Sequence, residues 1–162
     1  MATTSIDVYA ATNPAFCSLV LRSFVAGYAE SDASGSPLPL IILPLPIVLT
    51  EEISLALMGT NVKTGLLPWA VRSQEAILGL ADRVADAASF SREALLFGIR
   101  YRIVSITSDG RLHPDARGLA KQPDFPVATD LGRALSLARR LGLWMGQIRD
   151  IDTIFISLGI DR

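Results

Sequence analysis

The feature that restricts this chain most is an apolar run broken by prolines, PLPLIILPLPIVL, from Pro37 to Leu49. Its composition favours a β-strand, but proline has no backbone N–H to donate to a sheet ladder. Pro39, Pro44 and Pro46 therefore predict an extended or edge segment with brief pairing, and they argue against a central strand. The run is also shorter than the roughly 20 apolar residues of a transmembrane helix.

Capping residues and apolar spacing predict helices on both sides of this run. Asn13 is a good helix cap, and Pro14 suits the first helical position, so a helix should begin there and end between residues 27 and 30. Thr50 and the two glutamates after it predict a short helix that stops at Gly59. Further helices are expected over about 67–88, from Ser89 or Ser91 to about 100, and over about 129–148.

A β-hairpin is predicted between the last two of these helices. The segment YRIVSIT, residues 101–107, is rich in β-branched and aromatic residues, and Asp109-Gly110 is a favoured two-residue turn before the return strand at 111–113. Two helices followed by a hairpin are the order of a winged helix. We therefore predict an α+β fold that is mostly α-helical, a winged-helix-like domain with a short β-hairpin.

The chain is expected to form a single domain over residues 1–162, because its length is that of one ordinary domain. Residues 1–12 are predicted to be an extended lead-in. The apolar C-terminal tail, residues 150–160, is predicted to be capped by Asp152 and to pack on this chain or on another.

The composition is apolar for a globular protein. Half of the residues belong to the set AVILMFWYC and 19% are charged, against roughly 25% charged in typical domains. Either the core is large or part of the surface belongs to a partner, and we favour the partner. A lone cysteine excludes an intramolecular disulfide, and the first twelve residues lack a signal-peptide pattern, so a cytoplasmic location is expected.

Catalytic signatures are nearly absent. Cys17 and His113 are the one thiol and the one imidazole, too few for a His/Cys metal site, and Cys17 lies beside an apolar helix stripe where a buried thiol is usual. GTNVKTG, residues 59–65, lacks the glycine that should precede the lysine of a phosphate-binding loop. Asp82 and Asp86 have no second pair of ligands. We therefore predict no enzyme activity, no cofactor and no metal site.

Nucleic-acid binding is the alternative that the charge pattern keeps open. Residues 92–149 carry ten basic and five acidic side chains, a local excess of +5, although the whole chain is −1. A winged helix would place Arg92 and Arg100 on its recognition helix, with Arg102 and Arg111 on the wing. Against this, DNA-binding domains usually have a denser basic surface, the wing carries Asp109, and the helix needs its apolar residues, Leu96 among them, for packing.

Four segments carry a resemblance to a known family. They are NPAFCSLVLRSFVAGY (13–28), PLPLIILPLPIVL (37–49), FSREALLFGIRYRIVSITSDGRL (90–112), and LGRALSLARRLGLWMGQI with TIFISLGI (131–148 and 153–160). In this order they resemble the middle component of bacterial ABC three-component systems, which comprise an ABC ATPase, a middle component and an effector. The resemblance implies a non-catalytic adaptor in a defence complex, with an ABC/SMC-like ATPase and an effector encoded nearby as partners. It transfers no catalytic residues.

Two regions are the predicted partner contacts, with plain core packing as the alternative for each residue. Pro39, Pro44 and Pro46 can present rigid apolar edges at low entropic cost. Trp144, with Phe155 and Leu158 in the tail, can anchor a partner, because aromatic side chains dominate interfaces. The sequence leaves open a homo-oligomer. It allows DNA contact only as weak binding or through the complex.

Overall fold

A computed structural model describes residues 13–119, 125–126 and 128–161. The described chain is mostly helical with a small antiparallel sheet, so the predicted α+β class is confirmed. The first helix, α1, spans Pro14–Ser31, and the Asn13 side chain accepts hydrogen bonds from the backbone N–H groups of Ala15 and Phe16 at 3.1 and 3.2 Å. The predicted cap and start of this helix are confirmed, and its end at Ser31 lies one residue beyond the predicted range of 27–30. The predicted lead-in, residues 1–12, lies outside the described residues.

The proline-interrupted run is helical, and the prediction of an extended segment is wrong for most of it. Only Ser36–Pro37 pairs as a strand, β1; a 3-10 helix spans Leu38–Ile42 and a short helix, α2, spans Pro44–Val48. The prolines lie in the first turns of these segments, where the N–H groups have no partner within the helix, so a missing N–H costs nothing. The prediction that this run is not a central strand is confirmed. The prolines are, however, as compatible with the start of a helix as with an edge strand.

The middle of the chain is divided differently from the prediction. Helix α3, Glu51–Met58, ends at Gly59 as expected, and α4, Leu66–Arg72, and α5, Gln74–Ile77, follow the loop. Helix α6 then runs without a break over Leu80–Arg100. The predicted continuous helix over 67–88 is wrong: it is interrupted at Ser73, between α4 and α5, and again before α6, where Gly79 has a φ of +82°.

The predicted helix start at Ser89 or Ser91 is also wrong. Ser91 is fully buried within α6, on one continuous inner face that consists of Leu80, Val84, Ser91, Ala94, Leu95 and Gly98. A serine inside an unbroken helical stripe of small and apolar residues does not act as a cap. The helix therefore continues through it to the hairpin.

The predicted hairpin is confirmed, with a different turn. Strands β2, Val104–Ile106, and β3, Arg111–Pro114, are antiparallel with Ile106 opposite Leu112, and the sheet order is β1-β3-β2. The backbone N–H of Thr107 donates to the Arg111 carbonyl at 2.8 Å. Three residues therefore connect the strands, with Gly110 at φ +80°, instead of the two predicted.

The C-terminal part consists of two helices. Helix α7 spans Asp130–Ile148, capped by Thr129 as predicted, and α8 spans Ile151–Ser157. The α8 cap is Asp150, whose carboxylate accepts from the Thr153 N–H at 3.0 Å, and not Asp152. The apolar tail packs on this chain, where four of its side chains are buried: Ile154, Phe155, Leu158 and Ile160.

Helices α1 and α7 lie in backbone contact along the centre of the fold. A Cβ atom added to Gly142 would lie 2.0 Å from the carbonyl oxygen of Phe24, and one added to Gly27 would lie 2.0 Å from that of Arg139. At the edge of this contact Arg139 forms a bidentate ion pair with Glu30, the shorter N–O distance being 2.6 Å. The glycines allow this close approach, which positions the other helices around the pair.

Within the described ranges, no single helix is both long enough and apolar enough to cross a membrane. The segments Leu38–Val48 and Glu51–Met58 together have sufficient length and hydropathy, but they are bent by 92° at the break between them.

Candidate partner-binding surfaces

The predicted aromatic anchors lie inside the protein. Trp144 is 0%, Leu158 1% and Phe155 3% exposed. The Trp144 indole N–H donates to the Val62 carbonyl at 3.2 Å, and its ring centroid lies 6.1 Å from that of Trp69. Core packing, the alternative for these side chains, describes their positions.

The predicted proline contacts are divided between core and surface. Pro44 and Pro46 are buried within α2, whereas Pro39 is exposed in the 3-10 helix. Among the three prolines, a partner could therefore reach only Pro39 without displacing the chain's own core.

An open apolar cleft lies where the C-terminal tail meets the break before α6. Its volume is about 300 Å³, and we call it the end cleft; its lining consists of Gln74, Ile77, Leu78, Gly79, Leu80, Ala81, Ile156, Ser157, Leu158 and Gly159. Two of these side chains project far into solvent, Leu78 at 82% and Ile156 at 71% exposure. None of the lining residues in the described part of the chain is charged. The sequence did not reveal it, because a helix predicted to be continuous there would not turn Leu78 outward.

A second cleft of about 300 Å³ lies between α3 and α7, lined by Met58, Ala128, Arg133, Ser136, Leu137 and Arg140. One guanidinium nitrogen of Arg140 donates to the Leu57 carbonyl at 3.0 Å and to the Thr60 hydroxyl at 3.2 Å, which closes the end of α3. Burial lowers the pKa of this guanidinium. Arg140 therefore has a structural role in holding α3 against α7.

The four arginines predicted to contact nucleic acid do not form one surface. Arg92 and Arg100 are exposed on α6, and Arg102, at φ +57°, is exposed just after it. Arg111 is half-buried, and its guanidinium donates to the Gly35 carbonyl at 3.1 Å, so it holds β3 against the segment before β1. The structure thus leaves three of the four available to a partner.

Acidic side chains reduce the positive charge of the hairpin region. Arg117 binds Asp115 through two guanidinium nitrogens, the closest contact being 2.7 Å. Hydrogen bonds from the Arg117 side chain and backbone lower the pKa of Asp115 to about 2. At the hairpin tip, the Thr107 hydroxyl donates to Asp109 and lowers the pKa of that carboxyl. Both carboxylates are therefore charged at neutral pH.

The one thiol and the one imidazole each lie in a packed environment. Cys17 is 1% exposed, and burial raises the pKa of its thiol to about 11, so the thiol is protonated at neutral pH. His113 packs against Gly35, where an added Cβ would lie 2.5 Å from its Nε2. Asp82 and Asp86 are exposed on α6. Within the described ranges no three His, Cys, Asp or Glu side chains come together as a metal site.

The model of one protein family matches residues 2–162, and its description is ABC-three component (ABC-3C) system Middle Component 3. The chain belongs to this family. The predicted resemblance to middle components is therefore confirmed over nearly the whole chain. No curated protein and no solved structure matches it.

Because the chain belongs to the Middle Component 3 family, its expected ligands are partner proteins that are encoded with it as parts of one system. A middle component needs surfaces to meet them. The end cleft, the α3–α7 cleft and the exposed side of α6 are the described surfaces that combine accessible apolar or cationic groups.

Proposed function

We propose that this middle component is a non-catalytic adaptor that acts in the bacterial cytoplasm. It couples an ABC/SMC-like ATPase to an effector in an anti-phage or anti-plasmid defence complex. The family supports the multi-component setting, and the described residues support the adaptor role because their exposed apolar groups are not organised around any nucleophile or general base.

The end cleft carries this proposal. Leu78 and Ile156 are large aliphatic side chains that face water although the chain has a well-filled core, and exposed apolar patches mark interaction sites. Fully burying one such side chain contributes roughly 1.5–3 kcal/mol. Val71, 69% exposed on α4, lies on a helix that packs against α8 and adds to the apolar character of this end.

The experiment is co-expression of the tagged chain with the products of its adjacent genes, followed by size-exclusion chromatography. We expect stoichiometric co-elution with the ATPase, the effector or both. Leu78→Ser and Ile156→Ser should each weaken co-elution without lowering the melting temperature, because both side chains are already exposed. Val62→Ser, in the loop after α3, is the surface control. A chain that elutes alone in every combination contradicts the adaptor role.

A winged-helix DNA-binding regulator is the second candidate, and the sheet order favours it. In the usual winged helix a short strand follows the first helix and pairs with the last strand of the wing, which gives the order β1-β3-β2 found here. Helix α6 enters β2 directly, as a recognition helix enters a wing. The helices α3 to α5 would then be an insertion before the recognition helix.

Charge argues against DNA as the main ligand of this arrangement. The hairpin tip carries Asp109, and Arg111 is engaged by the Gly35 carbonyl. DNA affinity depends on neutralised phosphates and falls steeply with salt. The regulator would be favoured if the purified chain bound a DNA duplex without any co-eluting protein. This binding should weaken steeply from about 50 to about 200 mM salt.

A further inference from the structure

We infer that the outer ridge of α6 is a docking site for an acidic protein segment that carries an aliphatic side chain. The ridge is Arg92, Leu96 and Arg100, continued by Arg102. This inference rests on the proposed adaptor function and names the chemistry of the partner surface.

The geometry of α6 places these side chains together. Arg92, Leu96 and Arg100 are spaced i, i+4 and i+8, and residues four apart are neighbours on a helix surface. The opposite side of the same turns is buried, with Ser91, Ala94, Leu95 and Gly98 in the core. Leu96 is 66% exposed, so the expectation that it packs inside is wrong. It stands between two arginines at the centre of an accessible helix face.

Arg92 and Arg100 form no ion pair with any of the described residues. The ion pairs in the described part of the chain lie elsewhere and join Arg117 to Asp115, Arg133 to Asp130, Arg139 to Glu30 and Arg149 to Asp32. Arg92, Arg100 and Arg102 take part in none of them. The charge of Arg102 does contribute to the lowered pKa of Asp115, which Arg117 already binds, and Glu93 is the acidic neighbour of Arg92 in the sequence. The Arg100 guanidinium carbon lies 5.7 Å from the centroid of the Tyr101 ring. This ring is half-exposed and packs against that of Phe97, with the centroids 4.5 Å apart and the planes tilted by 38°.

Protein carboxylates fit this surface better than phosphates do. A phosphate backbone offers nothing that would bury Leu96, whereas an acidic segment with an aliphatic residue would cover the leucine and pair the flanking arginines. Arginine is enriched among residues that dominate protein interfaces. Complementary charge also speeds association and fixes register. The occupant is therefore an acidic-aliphatic segment of a protein of the same three-component system.

The test uses the full chain and the purified ATPase and effector encoded beside it, with affinity measured by biolayer interferometry. Arg92→Glu and Arg100→Glu should each weaken binding about tenfold or more, because like charges would face each other. Leu96→Ser should weaken binding too, and none of the three should lower the melting temperature. Arg83→Glu is the matched control: it makes the same charge change on α6, about 180° around the helix from Arg92.

Two results would overturn this assignment while leaving the adaptor function standing. One is partner binding by Arg92→Glu and Arg100→Glu within twofold of the original chain, as for Arg83→Glu. The other is that these two variants bind the partner unchanged but lose affinity for a DNA duplex, which would make the ridge a nucleic-acid contact. If the unsubstituted chain binds neither protein, the adaptor function and the ridge assignment fail together.

Discussion

Replacement of Gly142 by alanine tests the central packing of α1 against α7. In an isolated helix this change would stabilise, since alanine is about 0.8–1.0 kcal/mol more favourable than glycine in a helix interior. Here the new Cβ would lie 2.0 Å from the Phe24 carbonyl oxygen and 2.9 Å from the Tyr28 nitrogen. These are backbone atoms, which cannot rotate aside, so the two helices must move apart.

The net cost follows from these opposing effects. Overpacking in a close-packed core costs typically 1–3 kcal/mol, and the upper end applies because separation disturbs side chains at 0% exposure, such as Phe24 and Leu141. After the propensity gain is subtracted, Gly142→Ala should destabilise by about 2 kcal/mol. For a chain of this size the melting temperature should then fall by about 4–8 °C.

Thermal and urea unfolding followed by circular dichroism would measure this change. The matched control is Gly59→Ala, since Gly59 has φ −78° and an added Cβ there meets no atom within 4 Å. Its free energy of unfolding should stay within about 0.5 kcal/mol of the original. If Gly142→Ala proves as stable as the original chain or more so, then α1 and α7 are not in backbone contact and the reasoning fails.

Three further predictions concern the tail and two ionisable groups. A chain cut after Arg149 loses the buried tail residues and should show no cooperative melting transition; a soluble, cooperatively folded product would contradict the packing of α8. Because Asp115 has a folded pKa of about 2, below its ordinary value of 3.8, its contribution to stability is present above about pH 4 and is lost as the pH falls towards 2. Asp115→Asn should flatten the pH dependence of urea unfolding in that window, and an unchanged slope would refute this. Cys17, buried with a pKa near 11, should react with Ellman's reagent only after denaturation; rapid labelling of the folded chain would show that the thiol is accessible.

Local signals predicted the elements whose ends they mark. Asn13-Pro14, Thr129-Asp130 and the Asp109-Gly110 turn each involve contacts within a few residues, so α1, α7 and the hairpin could be inferred from sequence. The proline-interrupted run could not, because proline is compatible both with an edge strand and with a helix start. In the helical form, the 3-10 helix and α2 contact α6, and α2 also contacts α1. These contacts join residues far apart in sequence.

The candidate surfaces were harder to predict than the fold because a helical stripe identifies apolar residues but not which of them remain outside. In ALLFGI, residues 94–99, the inner face is taken by Ala94, Leu95 and Gly98, and this leaves Leu96 in water. Which side chains of α6 face inward depends on where the helix begins, after the break at Gly79. The positive φ of Gly79 was not evident from the sequence pattern. The burial of the aromatic side chains was hard to predict for the same reason: Trp144, at 0% exposure, looks equally suited to a core and to an interface.

The location of the aromatic residues also determines how this middle component can bind. Trp69, Trp144 and Phe155 are in the core, whereas Phe90 and Tyr101 are partly exposed. The groups left for partners are therefore mostly aliphatic side chains and arginines on preformed helices. The chain therefore does not need a partner to complete its core, and we expect it to fold before it binds. Binding to preformed surfaces avoids the ordering cost of coupled folding, roughly 2–5 kcal/mol or more. Small exposed surfaces of this kind favour reversible assembly, which agrees with the adaptor function proposed above.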